Sequence, residues 1–272
     1  MNQFNIPLLL EADVLEQLLN VDDILIVDLS SADIYEDYHI EGAVHLDVEQ
    51  ISASSPPVMG LLPDLETINH VLSDIGLTPN KHVIAYDDDM GLKACRFLWT
   101  LDAIGHHNFS LLNGGLHAWM GEGFPTSDEA VTPTPSHYQT NAFNSDAIAS
   151  KAEILAGLET NNNILLDVRS DSEFSGWDKR AMRGGHIPGA KNVEWIAAVD
   201  RERNTRFKPE NELQALYEEA GIDKDKTVIT YCQTHRRSAH TYIVLKSLGY
   251  KNIKGYPGSW SEWGNSEETP IE

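Results

Sequence analysis

The sequence predicts an α/β fold built twice: two similar domains, each a largely parallel sheet flanked by helices. The first observation behind this is a set of short apolar runs, Ile24–Val27, Val83–Tyr86, Ile164–Leu166 and Val228–Tyr231. They are too short for core helices and apolar on successive positions, as strands covered on both faces must be. The second is the set of longer amphipathic stretches between them, Val14–Leu19, Leu65–Ile75, Ala152–Leu158 and Glu212–Ala220, which read as helices. Gly76 and Gly221 follow the second and fourth of these, where a left-handed residue commonly ends a helix. Parallel strands need crossover connections, so strands alternating with helices point to a parallel sheet.

The third observation is an internal duplication. Leu25–Asp28 resembles Ile164–Asp167, with Asp28 matching Asp167. His39-Ile40-Glu41-Gly42-Ala43 resembles His186-Ile187-Pro188-Gly189-Ala190, the second copy carrying about eight extra residues around Trp177–Gly184. Val83–Asp87 matches Val228–Cys232, and Ala94 and Ala239 keep the same 145-residue offset. Asn113–Trp119 resembles Pro257–Trp263. Two long copies suit two domains, not a solenoid of short repeats. The expected division is a domain over residues 1–126, a linker over 127–145 containing Pro133 and Pro135, and a domain over 146–272.

A net charge of −22 argues against binding nucleic acid or acidic membranes. Residues 1–140 hold three basic residues (Lys81, Lys93, Arg96) against 22 acidic ones, a net of −19, while residues 141–272 carry 17 basic and 20 acidic, a net of −3. A site that needs positive charge is therefore expected in the second half. Two cysteines, Cys95 and Cys232, do not make a disulfide framework. With no basic start of a signal peptide in Met1–Pro7 and no apolar run near the roughly 20 residues of a membrane span, a cytoplasmic protein with reduced thiols is expected.

Cys232 carries the chemistry. It ends the run Val228–Tyr231 and opens the polar loop Gln233-Thr234-His235-Arg236-Arg237-Ser238, with a helix expected from Ala239 to Leu248. In parallel α/β sheets, ligands bind beyond the carboxyl ends of the strands. Converging loop N–H groups, the positive end of the helix and the two arginines all favour thiolate over thiol. A nucleophilic sulfur in an anion-binding nest suits attack on an anionic sulfur or phosphorus centre. Cys-x-x-Cys is absent, and His235 with His240 makes a weak metal cluster.

The duplicated layout, the two His-Ile-x-Gly-Ala segments, the C-terminal Gly-x-Trp element and the Cys232 loop resemble the tandem-domain rhodanese family of sulfurtransferases over essentially the whole chain. Cys-Gln-Thr-His-Arg-Arg-Ser is similar to the loop of a bacterial subgroup with a Cys-Gln-Thr-His core. The resemblance implies a silent first domain, with Asp87 where Cys232 stands, and a catalytic second one. It implies a thiosulfate sulfurtransferase working through a Cys232 persulfide. The donor would be a small anionic sulfur compound and the acceptor cyanide, a thiol or a protein. No metal or organic cofactor is called for, and the chain is expected to act as a monomer. Gln233, Thr234, His235, Arg236, Arg237 and Ser238 would bind substrate, with Arg237 the first choice for a sulfonate contact.

The chain departs from the family in one place. An arginine is typical six residues after the aspartate equivalent to Asp167, and here that position is Glu173. A carboxylate there counts against mercaptopyruvate as donor, and Arg183 is a candidate substitute. Asp167, Glu173 and Arg183 are thus candidates for shaping the site. Two rivals stand beside the enzyme. Cysteine phosphatases place arginine six residues after the cysteine, and here Arg237 comes at the fifth, so the loop is one residue short. A persulfide carrier or redox sensor would load Cys232 with little turnover. His39, His186, Asp28 and Asp167 recur in both copies and read as structural. Trp195 reads as packing, Cys95 as inert, and Arg201, Arg203, Arg206 and Lys208 as a solvated basic loop.

Overall fold

The computed structural model describes residues 6–160 and 163–272. Most of the Met1–Pro7 stretch read for a targeting signal lies outside them. The chain forms two compact units. The first comprises Met1–Ile51, Asp64–Phe143 and Asp200–Phe207, and the second Ser52–Pro63, Asn144–Val199 and Lys208–Glu272.

Each unit holds the expected parallel sheet. In the first, the strand order is Leu9–Leu10, Phe109–Leu112, His82–Tyr86, Ile24–Asp28 and Val44–His45, every pair parallel. In the second it is Ile253–Gly255, Thr227–Tyr231, Asn163–Asp167 and Lys191–Asn192, again all parallel. The apolar runs are inner strands: His82–Tyr86 and Ile24–Asp28, two of the three inner strands of the first sheet, and Thr227–Tyr231 and Asn163–Asp167, the two of the second. Tyr86 pairs with Asp28 in one unit and Tyr231 with Asp167 in the other, so both sheets end in the same register. Helices Leu65–Asp74, Lys151–Thr160 and Glu210–Glu219 fall within a few residues of their predicted spans. Gly76 and Gly221 follow two of them at φ +77° and +71°.

The cores repeat as well. Trp119 in the first unit and Trp260 and Trp263 in the second are fully buried beside the strand ends. Trp119 donates its indole N–H to the Pro125 carbonyl and Trp263 donates to Pro270, both at 2.8 Å. A tryptophan buried with its N–H satisfied contributes a large apolar area at no polar cost.

Two features differ from the contiguous division. The hairpin of Ala53–Ser55 with Val58–Leu61 belongs to the second unit, and Arg206–Phe207 belongs to the first. The stretch after residue 127 is also more than a spacer. Ser136, Tyr138 and Thr140 bond to the Ser73, Leu77 and Asn69 side of the first unit, so it runs back over that unit as a strap. Among the described residues, no helix is long and apolar enough to cross a membrane.

Candidate active site

Cys232 lies directly after the strand Thr227–Tyr231, and the helix Arg237–Ser247 starts five residues later. The thiol is 1% exposed. The loop is held from below by the segment Tyr256–Ser261. The Cys232 N–H donates to Ser259 Oγ, the Trp260 N–H donates to the Cys232 carbonyl, and the Ser261 N–H donates to the Gln233 carbonyl. Ser259 reaches back to the Tyr256 carbonyl at 2.8 Å, and its φ of +48° is strained for a residue with a side chain. Sequence reasoning found the Gly-x-Trp segment but missed the role of Ser259 as a support for the loop.

Burial pushes the Cys232 thiol pKa up. It is outweighed by the Arg237 charge, the Ser238 hydroxyl and the Ser238 and Thr234 backbone N–H groups, so the net shift is downward. Cys95 is the contrast. Burial and the nearby Asp87 hold it well above the ordinary thiol range, which fits an inert thiol.

Asp87, at the position of Cys232 in the first unit, displays what such a loop binds. Its Oδ1 accepts from the N–H groups of Asp89 and Gly91, and its Oδ2 from Lys93 and Ala94, each at 2.8 Å. Four backbone donors converge on one carboxylate at the start of a helix, the arrangement of an anion nest. The corresponding positions around Cys232 are Thr234, Arg236, Ser238 and Ala239. In the first unit the nest is filled by the protein's own side chain.

The remaining candidates fall into three groups. Arg237 and Glu173 are together: Arg237 Nη1 and Nη2 meet the two carboxylate oxygens at 2.6 and 2.9 Å. Glu173 is 2% exposed, sits in a capping box with Ser170, and has Arg180 at 3.8 Å. Burial raises its pKa, but the Arg237 hydrogen bond and charge prevail and lower it to about 2. Gln233 donates to the Arg180 carbonyl, and His235 and Ser238 are bonded to each other behind the sulfur. Thr234 abuts Gly60 of the hairpin, and Arg236 is half-buried at the helix start.

Asp167 braces the strand end through Arg169, a residue sequence reasoning missed. Arg169 is 1% exposed, meets Asp167 at 2.6 Å, donates to the Gly185 carbonyl at 2.8 Å and lies 4.4 Å from the centre of the Trp260 ring. The signal available was its place two residues after Asp167, where the first copy has Ser30.

Arg183 does not reach toward the thiol as a substitute for the missing arginine. Its guanidinium is spent on the Trp263, Ser266 and Thr269 carbonyls and the Thr269 hydroxyl. Its own carbonyl accepts from Trp260, so it supports the loop from a distance. His39 and His186 are structural, donating Nδ1–H to the Tyr35 and Phe174 carbonyls and stacking on those rings. Trp195 packs edge-on against His240. Arg206 corrects the reading of a solvated basic loop: it is 6% exposed and paired with Glu11 and Glu122. Among the described residues, no group of three or more His, Cys, Asp or Glu side chains is placed to hold a metal ion.

The family model for the rhodanese-like domain matches twice, over residues 11–122 and 150–266. A thiosulfate sulfurtransferase of Azotobacter vinelandii is 39% identical over 268 residues, 98% of each chain. A sulfur carrier protein of Thermus thermophilus is 34% identical over 250 residues, 88% of this chain and 86% of its own. Among solved structures, SseA from Escherichia coli, a 3-mercaptopyruvate sulfotransferase, superposes with a TM-score of 0.81. It is 29% identical, with 93% of this chain and 99% of that one covered.

Proposed function

The chain belongs to the rhodanese family, and from that premise we propose that it is a thiosulfate sulfurtransferase in which Cys232 carries the sulfur. The observation that carries this reading is the nest. Both carboxyl oxygens of Asp87 accept from four converging N–H groups, and the matching loop of the second unit offers the same positions to a thiol under the Arg237 charge.

The Cys232 thiolate attacks the outer sulfur of thiosulfate. A new S–S bond forms, the old one breaks, and its electron pair leaves with sulfite. The product is the Cys232 persulfide anion, held by the loop N–H groups and the helix start. Cyanide, a thiol or a protein acceptor then attacks the terminal sulfur, and the thiolate returns. Both steps balance in charge without an external oxidant or reductant. Arg237 is the contact for the departing sulfite. The Cys-Gln-Thr-His loop resembles the one of a bacterial subgroup with that core, and the carboxylate of Glu173 disfavours a donor with a carboxylate of its own.

A second reading is favoured by the likeness to a sulfur carrier protein: the chain loads sulfur and hands it to a protein without fast turnover. One experiment tests both. The protein is incubated with thiosulfate and weighed intact, then given cyanide while thiocyanate is measured. One added sulfur on Cys232 and sustained thiocyanate release support the enzyme. Stable loading with no release supports the carrier, and neither loading nor release overturns both. Cys232→Ser abolishes loading, whereas Cys95→Ser leaves it intact.

A further inference from the structure

We infer that His235 is a positioning residue, holding the Ser238 hydroxyl so that its single proton points at the Cys232 sulfur. The inference rests on Cys232 being the reactive sulfur and adds how its thiolate is held. His235 and Ser238 are both completely buried. His235 Nδ1 lies 2.7 Å from Ser238 Oγ, and Ser238 Oγ lies 3.4 Å from Cys232 Sγ. A serine hydroxyl has one proton and two acceptor lone pairs. If its proton goes to the sulfur, the bond to the imidazole must run the other way, with Nδ1–H donating to Oγ. The imidazole therefore fixes a rotor that would otherwise be free to point elsewhere.

The first unit shows that this pair is not needed to shape the turn at that point. His235 has φ +59°, unusual for a residue with a side chain, and Met90 at the matching position has φ +55°. Met90 cannot make this hydrogen bond, and the residue matching Ser238 is Lys93. The left-handed residue thus forms without an imidazole or a hydroxyl. The His-Ser pair accompanies the thiol and is missing where Asp87 replaces it. The charged groups around the sulfur, Arg237 with Glu173 and Arg180 behind it, form ion pairs in which neither His235 nor Ser238 takes part.

The test is the pH midpoint of iodoacetamide alkylation at Cys232, measured in a Cys95→Ser background without any sulfur donor. Ser238→Ala is expected to raise the midpoint by about one pH unit, the effect of losing one hydrogen bond to a charged acceptor. His235→Gly keeps the left-handed backbone, removes the donor, and is expected to raise it similarly. The double variant should shift no further than either single one, because both act through one bond. His235→Asn tolerates the same φ and offers an amide N–H in place of Nδ1–H, so it should recover most of the shift. An unmoved midpoint in His235→Gly, or additive shifts in the double variant, would overturn the inference. Since no donor is present, a wild-type protein that takes no sulfur from thiosulfate yet titrates as expected would sink the sulfurtransferase reading and support this one.

Discussion

Arg237 is shared between two partners of opposite use. Its guanidinium forks onto both oxygens of Glu173 and its charge reaches Cys232. A bidentate pair fixes the plane of an arginine far better than a single contact does. Glu173 thus holds Arg237 in one orientation, which gives a physical account of a carboxylate where the family tends to have arginine. Glu173→Gln leaves a largely buried guanidinium without its counter-charge, and should destabilise the protein by about 2 kcal/mol in urea unfolding at neutral pH. The sign with pH is definite. The folded carboxyl pKa lies near 2, below the ordinary 4.5. Its contribution is therefore complete above about 4.5 and is lost as pH falls through about 2. The gap between wild type and variant should close across that window, and a constant gap would refute the pairing as its cause.

At the scale of elements, the hairpin of Ala53–Ser55 and Val58–Leu61 is a wall of the site. Met59 exchanges two hydrogen bonds with Ser261 Oγ at 3.0 Å, one through its N–H and one through its carbonyl. Gly60, at φ +79°, lies so close to Thr234 that a Cβ would overlap the Thr234 carbonyl oxygen. The neighbour is backbone and cannot swing aside. Gly60→Ala should therefore displace the loop, lowering kcat/KM for thiosulfate by at least tenfold and stability by about 2 kcal/mol. Wild-type kinetics in that variant would show that the hairpin does not shape the site. This contact also marks where the sequence stopped being informative. The inner strands and Cys232 were legible because apolar runs and a polar loop are local patterns. Gly60 beside Thr234, Ser259 beneath Cys232 and Arg206 beside Glu11 were not, because each partnership spans a sequence separation that no local period records. Arg169 and Glu173 fell between these cases. Their spacing from Asp167 was visible, but which buried group each would face depended on the packed sheet end.

At the scale of the molecule, the duplication and the two compact units do not divide the chain in the same way. The chain passes between units after Ile51, Pro63, Phe143, Val199 and Phe207. Each unit therefore includes a short segment whose flanking chain on both sides belongs to the other. Such a segment is cheap to hold while its flanks are folded, since its ends are already fixed. Once the flanks unfold, the same contacts must also offset the entropy of closing long flexible loops. Loss of one unit thereby weakens the other, and the two should unfold together rather than in sequence. The cysteines supply a probe for each unit. Cys95 is fully buried in the first, and Cys232, the proposed sulfur-carrying residue, lies in the second. We expect a thiol reagent to label Cys95 in a Cys232→Ser protein, and wild-type sulfur transfer to fail, at one common urea midpoint. Labelling of Cys95 at urea concentrations where transfer persists would mean that the units unfold independently despite the exchanged segments.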